Sequence, residues 1–270
     1  MNLVIISALN PPPARYLIHK IQTRWPVKRV IRPIYAFKSS SPSRWTRIRN
    51  ISANKIRTLP QMMFYNWQTN QLNTQIKQLL FGNSNSPQIS DYDEVLRSAI
   101  NSEEIVQHIQ SLDPDILLVC MAPILKPAVF TIPKLATVNI HFGIAPYYRG
   151  EHTLFWPLYF GDYENIGITL HLINRGIDSG HILAQGFPAI EKYDTEASLW
   201  AKSSQLAANI VLDFLEAAQN GNIQGRQQES KGRLFLSKDR KMRYDIHYFL
   251  KKNIFRQYPP SYPQRINKYF

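Results

Sequence analysis

The sequence predicts an α/β protein built on a doubly wound, mostly parallel sheet with helices on both faces. Three observations predict it. Residues 2–34 read as strand, loop, helix and strand, the first unit of such a sheet. Ile116–Met121 is a short continuous apolar run entered from Asp113-Pro114-Asp115, the pattern of a strand buried on both faces. The 270 residues, 44% of them hydrophobic, suffice for one such domain with a substantial core, or a domain plus a small appendage.

Taken in order, Asn2–Ala8 suits the first strand and Leu9-Asn10-Pro11-Pro12-Pro13 a loop. A helix is expected from about Ala14 to Arg24, with Leu17, Ile18 and Ile21 on one side, stopped by Pro26. Val27–Ile34 suits the second strand. The first loop has no glycine, and its three prolines remove amide donors that a phosphate-cradling loop would offer. Residues 37–90 read as a basic insertion. It opens on the linker-like Ser39-Ser40-Ser41-Pro42-Ser43, continues in two amphipathic helices over about Trp45–Lys55 and Pro60–Leu80, and ends in turn-rich Phe81–Pro87. Its Trp45, Phe64, Tyr65 and Trp67 suit core packing, with a stacking or partner surface as the rarer use of such aromatics.

The pattern becomes regular after Tyr92. A helix is expected over Asn101–Leu112, with Ser102-Glu103-Glu104 placing acid at its N-terminal end, where the helix dipole favours it. Ala122–Leu125 ends the buried strand, and Pro127 starts a short helical turn. A strand carrying Asn139 and His141 follows, then a long loop with a helix near Leu154–Phe160 and a strand over about Ile166–Ile173. A long amphipathic helix over Ser198–Ala218 and a final strand within Gly225–Leu236 complete the unit. From Lys231 the tail carries eleven basic residues against Asp239 and Asp245. Its interleaved Tyr and Phe, with Pro259, Pro260 and Pro263, predict an extended end.

The net charge of +13 is unevenly placed. Residues 1–90 contain 13 Lys or Arg and no Asp or Glu, whereas the remainder is balanced. Such a field favours anionic partners, among them a nucleotide, nucleic acid or an acidic membrane surface, or else is a solvated basic face. An Arg-rich, acid-free N-terminus also has the composition of an organellar transit peptide, against which stands the opening strand. The single cysteine, Cys120, excludes an internal disulfide, fits a reducing compartment and, inside an apolar run, is expected to be core. The longest apolar run, Ile116–Leu125, is too short to span a bilayer. A cytoplasmic location is therefore expected.

Asn139 and His141 stand at i and i+2, so on a strand both side chains point to one face. Their strand runs out into a Gly/Pro-rich loop. The later strand is followed by Asn-Arg-Gly-Ile-Asp-Ser-Gly, a turn that can present Asp178. An amide, an imidazole and a carboxylate at strand ends make an acyl-transfer site. His152 and His171 read as structural, and no His, Cys, Asp or Glu set has metal-ligand spacing.

These segments resemble the folate-dependent formyltransferase family. The family's Asn-x-His, its Leu-Pro-x-Tyr-Arg-Gly-like loop and its Asp in Gly-x-Asp-[Ser/Thr]-Gly are matched by Asn139-Ile140-His141, Ala145-Pro146-Tyr147-Tyr148-Arg149-Gly150 and Gly176-Ile177-Asp178-Ser179-Gly180. Where the family usually has Pro after His and Leu-Leu-Pro in the loop, this chain has Phe142 and Ile144-Ala145-Pro146. The resemblance covers about residues 111–240.

The resemblance implies a Rossmann-like formyltransferase fold that moves a formyl group from N10-formyltetrahydrofolate to an amine. Asn139 would donate to the oxyanion. His141, protonated or nearly so, would stabilise the same charge and supply a proton, and Asp178 would raise the imidazole pKa and take the nucleophile's proton. The resemblance further implies a folate ring between the backbone of Met121, Ala122, Pro123, Ile124 and Leu125 and that of Asn174, Gly176 and Ile177. Tyr148 and Arg149 would face the acceptor, with Arg149 either pairing with a phosphate or making a loop-fixing ion pair. A catalytic unit over 1–230, interrupted at about 37–90, and a basic aromatic extension over 231–270 are expected.

The acceptor first expected is an amino-sugar nucleotide, a small anionic molecule. The glycine-free first loop departs from relatives that formylate glycinamide ribonucleotide. The 46 residues from Gly225 leave no room for the additional β-barrel of methionyl-tRNA formyltransferases. Nucleic acid is not an expected partner, and a homodimer is expected by analogy. Two alternatives stand beside this reading: hydrolysis of formyltetrahydrofolate by the same three residues, and a non-catalytic nucleic-acid or anionic-surface binding protein on the same scaffold.

Overall fold

The structure, a computed structural model, describes residues 1–35 and 53–270, with side chains described for 1–35 and 63–270. Its sheet begins with β1 (Leu3–Ser7), and α1 (Pro12–Gln22) leads to β2 (Val27–Ile34). A long helix, α2 (Ala53–Phe81), precedes β3 (Tyr92–Leu96), and α3 (Glu103–Ser111) precedes β4 (Ile116–Cys120). The short α4 (Pro127–Phe130) connects to β5 (Ala136–His141). Then come β6 (Tyr148–Gly150), α5 (Phe155–Phe160), β7 (Ile168–Leu172), β8 (Ile182–Phe187) and α6 (Glu196–Gln219). The chain closes with β9 (Arg233–Phe235), α7 (Met242–Asn253) and β10 (Arg265–Lys268).

Eight strands form the main sheet in the order β10-β8-β7-β5-β4-β1-β2-β3. From β3 to β5 the pairing is parallel, and β7, β8 and β10 add antiparallel. This is the doubly wound α/β architecture expected. Alternation along β1 explains the two layers: Leu3 and Ile5 enter the larger core with α1 and α6, while Val4 and Ile6 enter the core of α3 and α4. Helix α3 starts at Glu103, two residues later than expected, because the Ser102 side chain caps it by accepting from Ile105 N–H. Helix α6 starts at a reciprocal cap between Thr195 and Ser198.

Several expectations need correction. Helix α1 begins at Pro12, not Ala14; proline is tolerated in a first turn, where its missing N–H has no intrahelical partner to lose. The second helix expected in 37–90 begins earlier, at Ala53, and α2 packs on α1 and α6 as the crossover between β2 and β3. Trp45 and most of the first expected helix lie outside the described residues. Phe64 and Tyr65 are half-buried, but Trp67 is 58% exposed and does not fill the core. The stretch 182–187 had no expected strand, yet β8 is buried throughout. Within Gly225–Leu236 only Arg233–Phe235 forms a strand, and it pairs with β6 outside the main sheet. The tail is not extended: α7 packs on α2, and β10 forms the sheet's edge beside β8. Among the described residues no helix is long and apolar enough to cross a membrane.

Candidate active site

The site forms where β5 ends. The register of β5 against β7 sets Asn139 opposite His171 and His141 opposite Thr169. Beyond His141 the loop is held from beneath. Thr169, fully buried, donates to Gly143 O and accepts from Ala145 N–H, and Gln185 Nε2 donates to Ala145 O at 2.7 Å. After β7 the chain turns through Asp178 and returns past Gly180. A Cβ on Gly180 would lie 1.7 Å from Leu172 O, so only glycine allows this close return. Asp178 itself sits at φ +46°, the left-handed region that Asp tolerates better than most residues.

One carboxylate gathers three strands. Asp178 Oδ2 accepts from Gly150 N–H at 2.8 Å on β6 and lies 3.4 Å from His141 Nδ1 on β5. Asp178 Oδ1 lies 3.4 Å from both Asn139 Nδ2 and His171 Nε2. The carbonyl partners assign the ring protons. His141 Nε2 is 2.7 Å from Tyr148 O, so Nε2 carries the hydrogen and a neutral ring turns its Nδ1 lone pair to Asp178. His171 Nδ1 is 2.8 Å from Leu172 O and donates there, leaving Nε2 to accept from Asn139 Nδ2 at 3.1 Å.

Burial pushes the His141 pKa below that of an ordinary histidine, outweighing the charge of Asp178 that pulls it up. Burial pushes Asp178 the other way, but the neighbouring His141 and His171 and the Gly150 N–H hold it well below the usual carboxylate range. At neutral pH the pair is therefore an ionised carboxylate beside a neutral imidazole. His141 is only 6% exposed, and one carboxylate does not repay its desolvation. Cys120, at the end of β4, is inert, its thiol pushed up by burial to about 12.

The two segments expected around a folate ring border one face of the sheet. Met121 leaves β4 at φ +50°, and Ala122, Leu125 and Ile173 pack on the same apolar cluster. Asn101 fixes the first segment, donating to Ile124 O at 3.0 Å and accepting from Lys126 N–H at 2.7 Å. In the second, Asn174 Oδ1 accepts from Gly176 N–H and from Ser179 Oγ, both at 2.9 Å. Pro123 is half-buried, while Ile124 and Ile177 are exposed. Tyr148 offers its backbone to the site, but its ring is buried against Phe235 and its hydroxyl donates to Asp162 at 2.8 Å. A guanidinium N–H of Arg149 donates to Ile177 O at 3.2 Å, on the turn that carries Asp178. His171 was missed as a member of the site. Its only signal is that it falls opposite Asn139, which is visible once the β5–β7 register is known.

The formyl transferase family matches residues 56–215 of this sequence, more than half of its length. The chain belongs to the formyl transferase family. Methionyl-tRNA formyltransferase of Caldanaerobacter subterraneus subsp. tengcongensis is 29% identical over 135 residues, 50% of this chain and 43% of that protein. The chain thus aligns with less than half the length of that relative. Two crystal structures share the fold. A 4-N formyltransferase from Francisella tularensis has a TM-score of 0.57 at 15% identity, covering 92% of this chain and 86% of that one. HypX from Aquifex aeolicus in complex with tetrahydrofolic acid has a TM-score of 0.52 at 16% identity, covering 88% and 30%. The matched span takes in Asn139, His141, His171 and Asp178 but ends inside α6.

Proposed function

We propose that this protein is a formyltransferase that moves the formyl group of N10-formyltetrahydrofolate to the primary amine of an amino-sugar nucleotide. The observation that carries the reading is the convergence of Asn139, His141 and Asp178 at the end of β5, within 3.4 Å contacts of one carboxylate, inside the family's matched span. The co-substrate supplies an activated formyl carbon. When the acceptor amine attacks it, negative charge grows on the formyl oxygen, and the half-exposed Asn139 amide is the donor placed to meet it. The attacking amine must lose a proton. The ionised Asp178 and neutral His141 have room for one, held on His141 Nδ1 against Asp178 Oδ2. The same proton serves the departing amine of the donor, so the step balances without another acid.

The acceptor choice rests on charge and on what α1 lacks. An acid-free, basic stretch over 1–90 favours an anionic acceptor. Helix α1 opens with Pro12 and Pro13 and without a glycine-rich loop, which leaves few amide donors for a phosphate there and argues against glycinamide ribonucleotide. Calorimetric titration with a stable, non-transferable N10-formyltetrahydrofolate analogue tests the donor half, and a panel of amino-sugar nucleotides tests the acceptor half. Saturable micromolar binding followed by turnover of at least one amino-sugar nucleotide is expected. Binding without turnover of any of them sinks the acceptor, and formate release without an acceptor points instead to hydrolysis.

A further inference from the structure

We infer that Gln228 and strand β9, both beyond the family's matched span, are positioning elements that clamp the two catalytic loops against each other. One end of the clamp is Gln228. Its amide donates to Asp178 O at 3.0 Å and to Gly180 O at 2.8 Å, using both of its hydrogens on the turn that carries the carboxylate. The chain beside it is anchored on β8, where Arg226 and Ile182 exchange backbone hydrogen bonds of 2.7 and 2.8 Å.

The other end is β9. It pairs in parallel with β6, Tyr148 against Arg233 and Gly150 against Phe235. Those two β6 residues serve the site through their backbones, Tyr148 O accepting from His141 and Gly150 N–H donating to Asp178. The fit leaves no slack. A Cβ on Gly232 would lie 1.6 Å from Pro146 O, and one on Gly150 would lie 2.1 Å from Phe235 O. The Phe235 ring, 1% exposed, stacks on Tyr148 at 5.7 Å and on Trp156 at 5.0 Å. Residues 228–235 therefore hold the Asp178 turn with one end and the loop after His141 with the other. The spacing of His141 and Asp178 depends on both.

The effect on turnover rests on the proposed formyl transfer, but the effect on the His141–Asp178 pair does not. The test uses the full chain with isotope-labelled histidine, in wild type, Gln228→Leu, Gly232→Ala and the control Gln227→Leu, whose side chain is exposed. The His141 imidazole is titrated by NMR and assigned by its loss in His141→Gln. The charged groups that act on it are Asp178, which raises its midpoint, and His171 and Arg149, which lower it. Loosening the Asp178 turn weakens both the burial that lowers the midpoint and the Asp178 charge that raises it, so the midpoint departs from wild type in Gln228→Leu and Gly232→Ala and stays in place in Gln227→Leu. With any acceptor found, kcat falls about 10- to 100-fold in the two clamp variants while KM for donor and acceptor changes little. If Gln228→Leu does not fold, Gly232→Ala carries the same reading from the other end. Titrations that superimpose on wild type in folded clamp variants overturn the inference. A wild type with no turnover overturns the formyl-transfer reading alone, and the titration still decides the clamp.

Discussion

Asp178 spends its two oxygens on four neighbours: an amide from β6, two imidazoles and the Asn139 side chain. Two predictions belong at this scale. Asn139→Ala removes the oxyanion donor and should lower kcat by about 10²–10³-fold, roughly 3 kcal/mol, while analogue binding by calorimetry is retained. Equal loss of binding would place Asn139 in donor recognition instead. The second concerns pH. Only neutral His141 can take the amine's proton, and burial depresses its pKa below the ordinary value of 6.5. Activity should therefore persist below pH 6.5 and disappear as pH falls through the depressed value; an acid limb above pH 6.5 in the kcat profile would contradict it. Asn139, His141 and Asp178 were legible because i, i+2 spacing and a turn-rich loop are local signals, reinforced by a family resemblance. His171 was not, since its role comes from the partner strand that faces it.

At the scale of elements, the strands of the parallel half were readable because each is an apolar run bounded by turns. Strand β8 was not: its sequence, Ile-Leu-Ala-Gln-Gly-Phe, mixes Gln185 and Gly186 into a run that the fold buries entirely. Helix α7 was hidden for the opposite reason, since its Met242, Ile246 and Phe249 are 38–60% exposed and its fastening is ionic. Arg240 lies 3.7 Å over the Phe155 ring, pairs with both Glu196 oxygens at 3.0 Å and with Asp245 Oδ1 at 2.7 Å, and so ties the start of α7 to α5 and α6. Arg240→Met leaves two buried carboxylates without their cation. Urea unfolding should register a loss of about 3–5 kcal/mol. A loss under about 1 kcal/mol, the range of exposed pairs, would mean that the cluster does not hold the segment.

Over the whole molecule, the basic N-terminal third is less free than its composition suggests. Arg29 and Arg32 on β2 pair with Asp93 and Glu94 on β3, so part of the excess is met by acid from the next strand in the sheet, which no running count along the sequence reveals. Stability should also depend on pH through His152, which burial and then the nearby Arg240 lower to about 4. The unfolded chain protonates this histidine near 6.5 and the folded one only near 4. Stability is therefore full above pH 6.5 and falls as pH drops toward 4, by up to about 3 kcal/mol, and His152→Gln should flatten that slope in denaturant titrations. An unchanged slope would assign the acid sensitivity to other groups. The central claim is formyl transfer by the Asn139, His141 and Asp178 site. Its most direct test is incubation of the purified protein with isotopically labelled N10-formyltetrahydrofolate and a panel of amino-sugar nucleotides, read by mass spectrometry beside His141→Ala. Labelled formyl on the amine of one acceptor with wild type, and its near absence with the variant, is the predicted result. Equal labelling by wild type and His141→Ala, or none by a folded wild type across the panel, would contradict the account.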